Sequence, residues 1–385
     1  DLLFNVNKKL GDFSIDATLG SSICDTKFDS SCAGGMLGAL NQFNLSGLDK
    51  HGGYHYIDQD FNYHDRVTSL FILAQLGYKN RLFLDLGGRM EWLKFWDDDS
   101  SYSTDVIYPS IGASVVPTGW LPDNPNRFLS FLKLNYTYSE TGNSFTDYIF
   151  LNKKRVGLKP RLEDNMLDPE HTKSHEIGLN AGFLNDKINL AFTMYKTSTS
   201  DLPFGGYLPI PFQGDIYFMY NWCRIDNKGF ELTLSANMNI GQVKWDGRFT
   251  YSINKNEVKQ LTEPQKNPIT GTDSNLEEIQ MAKGSGWYTP LKKGGSIGDI
   301  YVTDLQRDEQ GNVVIDKTSQ NVVPVNEYIY AGNADPKYTM GLANSFSWKG
   351  FELDFVIHAR FGGVGLSMTQ AVMDHWCITG HSHSP

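Results

Sequence analysis

Nowhere in these 385 residues do about eighteen apolar side chains run uninterrupted, the length a transmembrane helix requires. Helical spans are thereby excluded, and a closed β-barrel is the one membrane architecture left open. Basic residues are also short: 34 Lys and Arg face 44 Asp and Glu, a formal charge of -10, so there is no basic stripe to meet a nucleic-acid backbone. Charged residues reach 20%, below the roughly 25% of soluble domains. Cysteine is scarce, and Cys24, Cys32, Cys223 and Cys377 fall at no metal-ligand spacing. Cys24 and Cys32 share one polar segment, where a surface disulfide and free thiols are both open. The chain starts at Asp1 inside a strand-like pattern, without an initiator Met or a leader, and reads as a fragment.

Motifs of catalysis are missing as well. There is no G-x-S-x-G, no Walker-type loop and no carboxylate pair that sequence can place, so no enzyme is expected and no catalytic residue is assigned. His51, His55 and His64 share a segment with Asp58, Asp60 and Asp65, but no pair sits at a zinc spacing and a solvated loop is expected. Asp97, Asp98 and Asp99 leave loop calcium open as the one cofactor; a charged tip is the plainer reading, since no Gly-punctuated calcium loop surrounds them. In 308–316 (DEQGNVVID) the run Gln310-Gly311-Asn312 reads as a hairpin turn, and His381 and His383 read as part of a disordered end. Gly362 and Gly363 predict a sharp exit from a strand, with no helix behind them to hold an anion.

What the chain holds in quantity is aromatics, at 13%, and a period of two. Phe230, Leu232, Leu234, Ala236 and Met238 alternate with Glu231, Thr233, Ser235, Asn237 and Asn239, which puts apolar groups on one face of a strand. The same rule holds for Val243, Trp245, Phe249, Tyr251 and Ile253, for Phe351, Leu353, Phe355 and Ile357, and for Leu82, Leu84, Leu86 and Met90. With weaker runs at 2–10, 12–21, 67–78, 106–116, 130–141, 173–184, 187–199 and 335–348, twelve strands of about ten residues are expected.

Alternation also fits a soluble sandwich. The connections decide, because short turns at Gly11-Asp12, Lys79-Asn80, Asn185-Asp186, 240–242 and Lys349-Gly350, with a longer one at 117–127, alternate with long polar pieces. Those pieces are 22–66, 95–105, 142–172, 200–216 and 255–334, and strict alternation gathers them at one end of the sheet. Outer-membrane barrels have this asymmetry of short periplasmic turns and long extracellular loops. Tyr78, Trp92, Tyr136, Tyr138, Tyr195, Trp245, Trp348 and Phe351 stand near strand ends, where interfacial girdles belong. Of the aromatics on the outer side, Tyr54, Tyr56, Trp96, Tyr217, Tyr220, Trp222 and Trp287 are candidates to stack on a sugar ring or a peptide side chain, against packing on other loops.

Several segments resemble the barrel of the SusC/RagA family of TonB-dependent transporters: 137–143 (TYSETGN), 167–201 (LDPEHTKSHEIGLNAGFLNDKINLAFTMYKTSTSD), 225–236 (IDNKGFELTLSA), 307–316, 332–355 and 360–370 (RFGGVGLSMTQ). The resemblance implies a barrel of about 22 strands around a plug, energised by TonB, capped by a SusD-like lipoprotein, and importing oligosaccharides or peptides. Residues 1–385 would then be a partial barrel of about half that wall, lacking the plug domain and the TonB box, with 374–385 (DHWCITGHSHSP) an atypical, truncated end. The expected fold is thus all-β, a transmembrane antiparallel up-and-down barrel present in part, in the bacterial outer membrane and in contact with its lipid. A passive porin-like barrel and a β-rich surface carbohydrate-binding protein remain as alternatives.

Overall fold

The structure, a computed structural model, describes residues 1–34, 57–96, 101–122, 128–143, 169–210, 214–261, 265–266, 273–274, 277–284 and 286–376. Its strands are β1 (Leu2–Leu10), β2 (Phe13–Gly34), β3 (Ile57–Tyr78), β4 (Leu82–Trp96), β5 (Ser101–Val115), β6 (Leu129–Asn143), β7 (Glu170–Phe183), β8 (Ile188–Ile210), β9 (Gly214–Ile240) and β10 (Val243–Gln260). There follow β11 (Gln265–Lys266), β12 (Asp273–Ser274), β13 (Glu278–Gly284), β14 (Trp287–Lys292), β15 (Asp299–Leu305), β16 (Pro324–Asn333), β17 (Tyr338–Trp348), β18 (Phe351–Phe361) and the helix α1 (Met368–His375). Twelve strands hydrogen-bond in chain order, β1 to β10 and then β17 and β18, and all twelve coincide with strands expected from periodicity. Two compact units are distinguished by contacts, Asp1–Ser114 with Thr137–His171, and Val115–Tyr136 with Thr172–Pro385.

Register converts alternation into two faces. In the first unit Phe4, Leu19 and Ile72 stand side by side on β1, β2 and β3, while Asn7, Asp16, Gln75 and Asp85 line up on the opposite face. There Gln75 Nε2 donates to Asp85 Oδ1 at 2.6 Å, and Asn7 donates to Asp16. In the second unit Leu190, Leu234, Phe249, Leu342 and Ile357 form one apolar row across five strands. The reverse face carries Thr193, Glu231, Ser252, Thr339 and Arg360, with the Ser252 and Thr339 hydroxyls 2.6 Å apart. The apolar side is the open one: Leu19, Ile72 and Ile357 are 48%, 52% and 55% exposed. A soluble sheet would bury these side chains; a lipid-facing wall presents them.

Turn chemistry fixes the register. Lys79 and Asn80 have φ of 52° and 54°, and Lys349 and Gly350 of 47° and 89°. Two left-handed residues in a two-residue connection, as between Trp348 and Phe351, make the type I′ turn, whose twist matches that of the strands it joins. The Lys79–Arg81 connection has three residues and is closed by the Arg81 N–H on the Tyr78 carbonyl at 3.0 Å. From Leu82 to Trp92 the strand rises about 33 Å at about 3.3 Å per residue, or about 25 Å of height at a tilt of about 40°, the height of the apolar band of such barrels.

The long connections differ from expectation. β2 and β3 each run 22 residues, β8 runs 23 and β9 runs 27, so 22–66 and 200–216, expected as loops, are in large part strand. The β2–β3 register is unbroken from Phe13 opposite Tyr78 to Gly34 opposite Ile57. Beyond the lipid both faces meet water, so the ladder continues while the apolar set that marks the lipid side is no longer kept. Segment 255–334 also holds a four-stranded sheet, β13 to β16. Gly362 and Gly363, with φ of 77° and 88°, do turn the chain sharply after β18, but α1 follows a few residues later where no helix was expected.

The facing assignment has a direct consequence. Leu234→Arg, near the middle of the apolar band, is expected to cost about 2 to 4 kcal/mol of folding free energy in lipid, and Thr233→Arg on the polar face about 1 kcal/mol or less. Equilibrium folding of the full-length protein into lipid vesicles measures both, and equal costs would refute the assignment.

Candidate functional site

The polar face of the second unit is recessed into a concavity of about 430 Å³ lined by Asn189, Ser235, Asn237, Asp246, Arg248 and Asp354 among others. Each stands there because it occupies the polar set of the period-two pattern on β8, β9, β10 or β18. Asn237 donates to Asp246. The lining can exchange hydrogen bonds with a solvated polar molecule.

Farther from the short turns, β13 to β16 form an amphipathic sheet. Ile279, Leu291 and Ile300 are buried, and the first two join Cys223, Ile225, Val258 and Leu261 in a small core with Leu202 at its edge. The other face carries tyrosines: Tyr288 lies 5.3 Å from Tyr301 and 4.5 Å from Tyr328, and Tyr301 lies 5.5 Å from Tyr330, ring centre to ring centre. Lys283 sits 5.8 Å over the Tyr328 ring. Burial pushes the Tyr288 phenol up to about 12, and the Glu278 carboxylate it bonds adds to the rise, so it stays a neutral donor. Tyr330, also raised by burial, bonds Asp299.

A buried polar network ties this sheet to the wall. Asn256 on β10 accepts from Ser296 Oγ at 2.7 Å and from the Ile297 N–H at 2.9 Å, and its Nδ2 donates to Asp335 Oδ2 at 2.8 Å. Asp299 accepts from the Ser296 N–H and from Asn333 Nδ2, each at 2.8 Å. Main-chain bonds from Val258 to Gly295 at 2.9 Å and from Ala334 to Gly298 at 2.7 Å close the same joint.

The aromatics singled out by sequence are placed unequally. Trp287 is half-buried in β14, its Nε1 against Gly284, and it pairs with Val302, on the face opposite the tyrosines. Trp96 ends β4 on the side of Leu82, Leu84, Leu86 and Trp92, away from the polar face, because all are even-numbered on one strand. Its ring is taken up by His64 at 3.9 Å, Lys94 at 5.4 Å and Arg66 at 5.9 Å, so it does not offer the free stacking face expected of it. Tyr220 and Trp222 lie on β9, their side chains outside the described residues; Tyr54, Tyr56, Asp97, Asp98, Asp99, His51, His55, His381 and His383 also lie outside them. Tyr288, Tyr301, Tyr328 and Tyr330 were missed: two alternate at i and i+2 on β16, inside a segment expected to be a single loop.

The disulfide is corrected. Cys24 and Cys32 both lie on β2, about 26 Å apart along an extended strand, whereas a disulfide needs Cα atoms within about 7 Å. Cys24 is free and exposed; Cys223 is buried, which pushes its thiol up to about 12. Among the described residues no three His, Cys, Asp or Glu gather as for a metal. Asp308 Oδ1 accepts from the Gln310 and Asn312 N–H groups at 3.0 and 2.8 Å, the turn expected there, and Asn312 holds that carboxyl below its usual range.

Two outcomes follow. Denatured without reductant, Cys24 is expected to take up N-ethylmaleimide in full, while in the folded protein Cys223 stays unlabelled; a Cys24 peptide that labels only after reduction would restore the disulfide. Asn256→Ala strands two donors and a carboxylate, a loss of about 1 to 3 kcal/mol, and should speed amide hydrogen exchange across 278–305 while leaving the membrane part of β9 and β10 unchanged.

Residues 6–356 match the family described as TonB dependent receptor-like, beta-barrel. The chain is 22% identical over 391 residues to TonB-dependent receptor P3 of Formosa agariphila, covering 94% of this chain and 38% of that protein. It is 24% identical over 368 residues to TonB-dependent receptor SusC of Bacteroides thetaiotaomicron, covering 84% and 35%. A solved structure of the RagAB peptide transporter superposes with a TM-score of 0.62 at 18% identity, over 92% of this chain and 39% of that one, a likeness of fold. The chain thus spans under two-fifths of these relatives. With a two-faced wall, one-ended short turns and a match running through nearly all its strands, the chain belongs to the TonB-dependent receptor-like β-barrel family of the outer membrane.

Proposed function

We propose that the protein to which this wall belongs imports a nutrient, an oligosaccharide or a peptide, through a TonB-dependent cycle with a SusD-like lipoprotein as its outer partner. The observation that carries the reading is the two-faced wall in a chain of this family: a continuous apolar side for lipid and a continuous hydrogen-bonding side for a polar cargo. β1 and β18 each have one neighbour in the strand order, and lipid does not tolerate an unpaired strand edge, so transport belongs to the barrel that pairs both. The solved structure of similar fold is named a peptide transporter, which supports a peptide cargo, and the resemblance to the SusC/RagA family supports an oligosaccharide. Import needs no bond-making, and the polar face offers hydrogen-bond partners at every second residue to replace the water of a passing cargo.

The test uses the full-length protein in its own host. Uptake of radiolabelled oligosaccharides and peptides is compared between wild type, a deletion of this protein and a strain lacking TonB. Loss in both strains is expected, together with co-purification of a lipoprotein from the outer face. Uptake that survives without TonB would instead identify a passive porin.

A further inference from the structure

On the apolar side of β2, β3 and β4 the last row of the band is Ile23, Thr68 and Trp92. The next row outward on that side is Asp25, Arg66 and Lys94, and the one beyond it Lys27, His64 and Trp96. With Trp92 about 25 Å above the short turns, these two rows stand at the height of the lipid headgroups of the outer leaflet. We propose that they form a binding site for the phosphate of a lipid A-type lipid, whose acyl chains lie along Ile23, Leu70 and Ile72 below.

Charge and continuity carry the inference together. Arg66 Nε donates to Asp25 Oδ2 at 2.6 Å and a second guanidinium nitrogen pairs with the same carboxylate, while His64 bonds its other oxygen. Asp25 is thereby spent on fixing those two side chains. Lys27 and Lys94 form no ion pair among the described residues and are exposed, and Lys94 rests over the Trp96 ring at 5.4 Å. Asp29, one row farther out on β2, limits the excess of positive charge and marks its outer boundary. The patch faces the bilayer side and not the polar face, so a cargo in the lumen does not meet it.

The apolar strip directly beneath is open: Ile23 is 68% exposed, Leu70 47% and Ile72 52%. A free inorganic anion would use the cations and leave that strip unused, whereas a lipid uses both. On the turn side Lys79 pairs with Asp12 at 3.2 Å and lies 5.3 Å over Tyr78, and Lys349 lies 5.3 Å over Trp348, the pattern of a snorkelling anchor. Lys27, Arg66 and Lys94 stand on three adjacent strands on the outer side, with Lys27 and Lys94 in no ion pair among the described residues, matching a headgroup that carries discrete phosphates. The proposal rests on the barrel's place in the outer membrane and not on what it transports, so uptake can fail without touching it.

Full-length protein is purified from outer membranes in mild detergent and stripped of lipid. Binding of added phosphate-bearing lipid A is then measured by native mass spectrometry, with dephosphorylated lipid A and inorganic phosphate as separate arms. The wild type is expected to retain lipid A and to release it as salt rises. The K27Q/K94Q double variant should bind about thirtyfold more weakly, about 2 kcal/mol at about 1.4 kcal/mol per tenfold, and K27R/K94R should bind as wild type does. Unheated gel mobility reports whether the variant barrels are folded; should K27Q/K94Q not fold, the salt and dephosphorylation arms on wild type decide. Equal retention of the phosphorylated and dephosphorylated lipid, or undiminished binding by a folded K27Q/K94Q, overturns the proposal. Inorganic phosphate binding as tightly as lipid A overturns it too, by showing a soluble-anion site.

Discussion

Within a bilayer no water competes for backbone N–H and C=O groups, and each one left unmatched costs several kcal/mol. Every other feature of the wall follows from that constraint. A spanning segment must find its hydrogen bonds on neighbouring strands, and the least demanding solution pairs each strand with its chain neighbours. The order from β1 to β10 and on to β17 and β18 does this. Once pairing is imposed, side chains alternate, and the faces separate without further instruction: Leu234 between Leu190 and Phe249 on one side, Glu231 between Thr193 and Ser252 on the other.

Outside the lipid the constraint lifts, and the structure changes character where it does. β8 and β9 extend well past the apolar band with register shifts between Thr199 and Phe204, irregularities that water can satisfy. The sheet β13 to β16 builds a small core of its own around Val258 and Leu261, and joins the wall through Asn256 and Asp299, buried polar groups that each find partners. Such a network is sensitive to the loss of any member, because a buried donor or acceptor left unmatched costs more than the bond contributed. The tyrosine face is therefore set on a rigid joint in the part of the molecule free to vary its loops.

Legibility in the sequence divides along the same boundary. All twelve wall strands could be located, and Lys79-Asn80 and Lys349-Gly350 could be placed as turns, because lipid on one side and water on the other write a period of two into the residues. The outer halves of β2 and β3 could not, since 25–34 (DTKFDSSCAG) carries polar residues at both parities and 57–64 (IDQDFNYH) puts its polar residues at the even positions that Leu70 and Ile72 hold in the apolar band. That error carried the Cys24–Cys32 pairing with it: eight residues of loop can bring two thiols together, and eight residues of strand cannot. Trp96 failed for a subtler reason. Its even-numbered position on β4 already assigned it to the bilayer side, but the alternation fades beyond Trp92, so the parity went unused. The four tyrosines were hidden by strand length, since β14 and β15 are too short for periodicity to be read.

The same physics explains how fold and sequence come apart among relatives. Identity to the RagAB structure is 18%, yet the TM-score is 0.62. A soluble core of this size would have to preserve packed shapes, because close-packed interiors register the gain or loss of a single methylene. The wall has almost no such interior: its apolar side chains end in fluid lipid, which conforms to Leu, Ile, Phe or Val alike, and its polar side ends in water. What must be kept is the binary pattern, the turn residues with positive φ, and glycines such as Gly20, where a Cβ would lie 2.2 Å from the Phe71 ring. The polar face can then exchange one hydrogen-bonding residue for another without disturbing the face in lipid, which lets one barrel family present many linings.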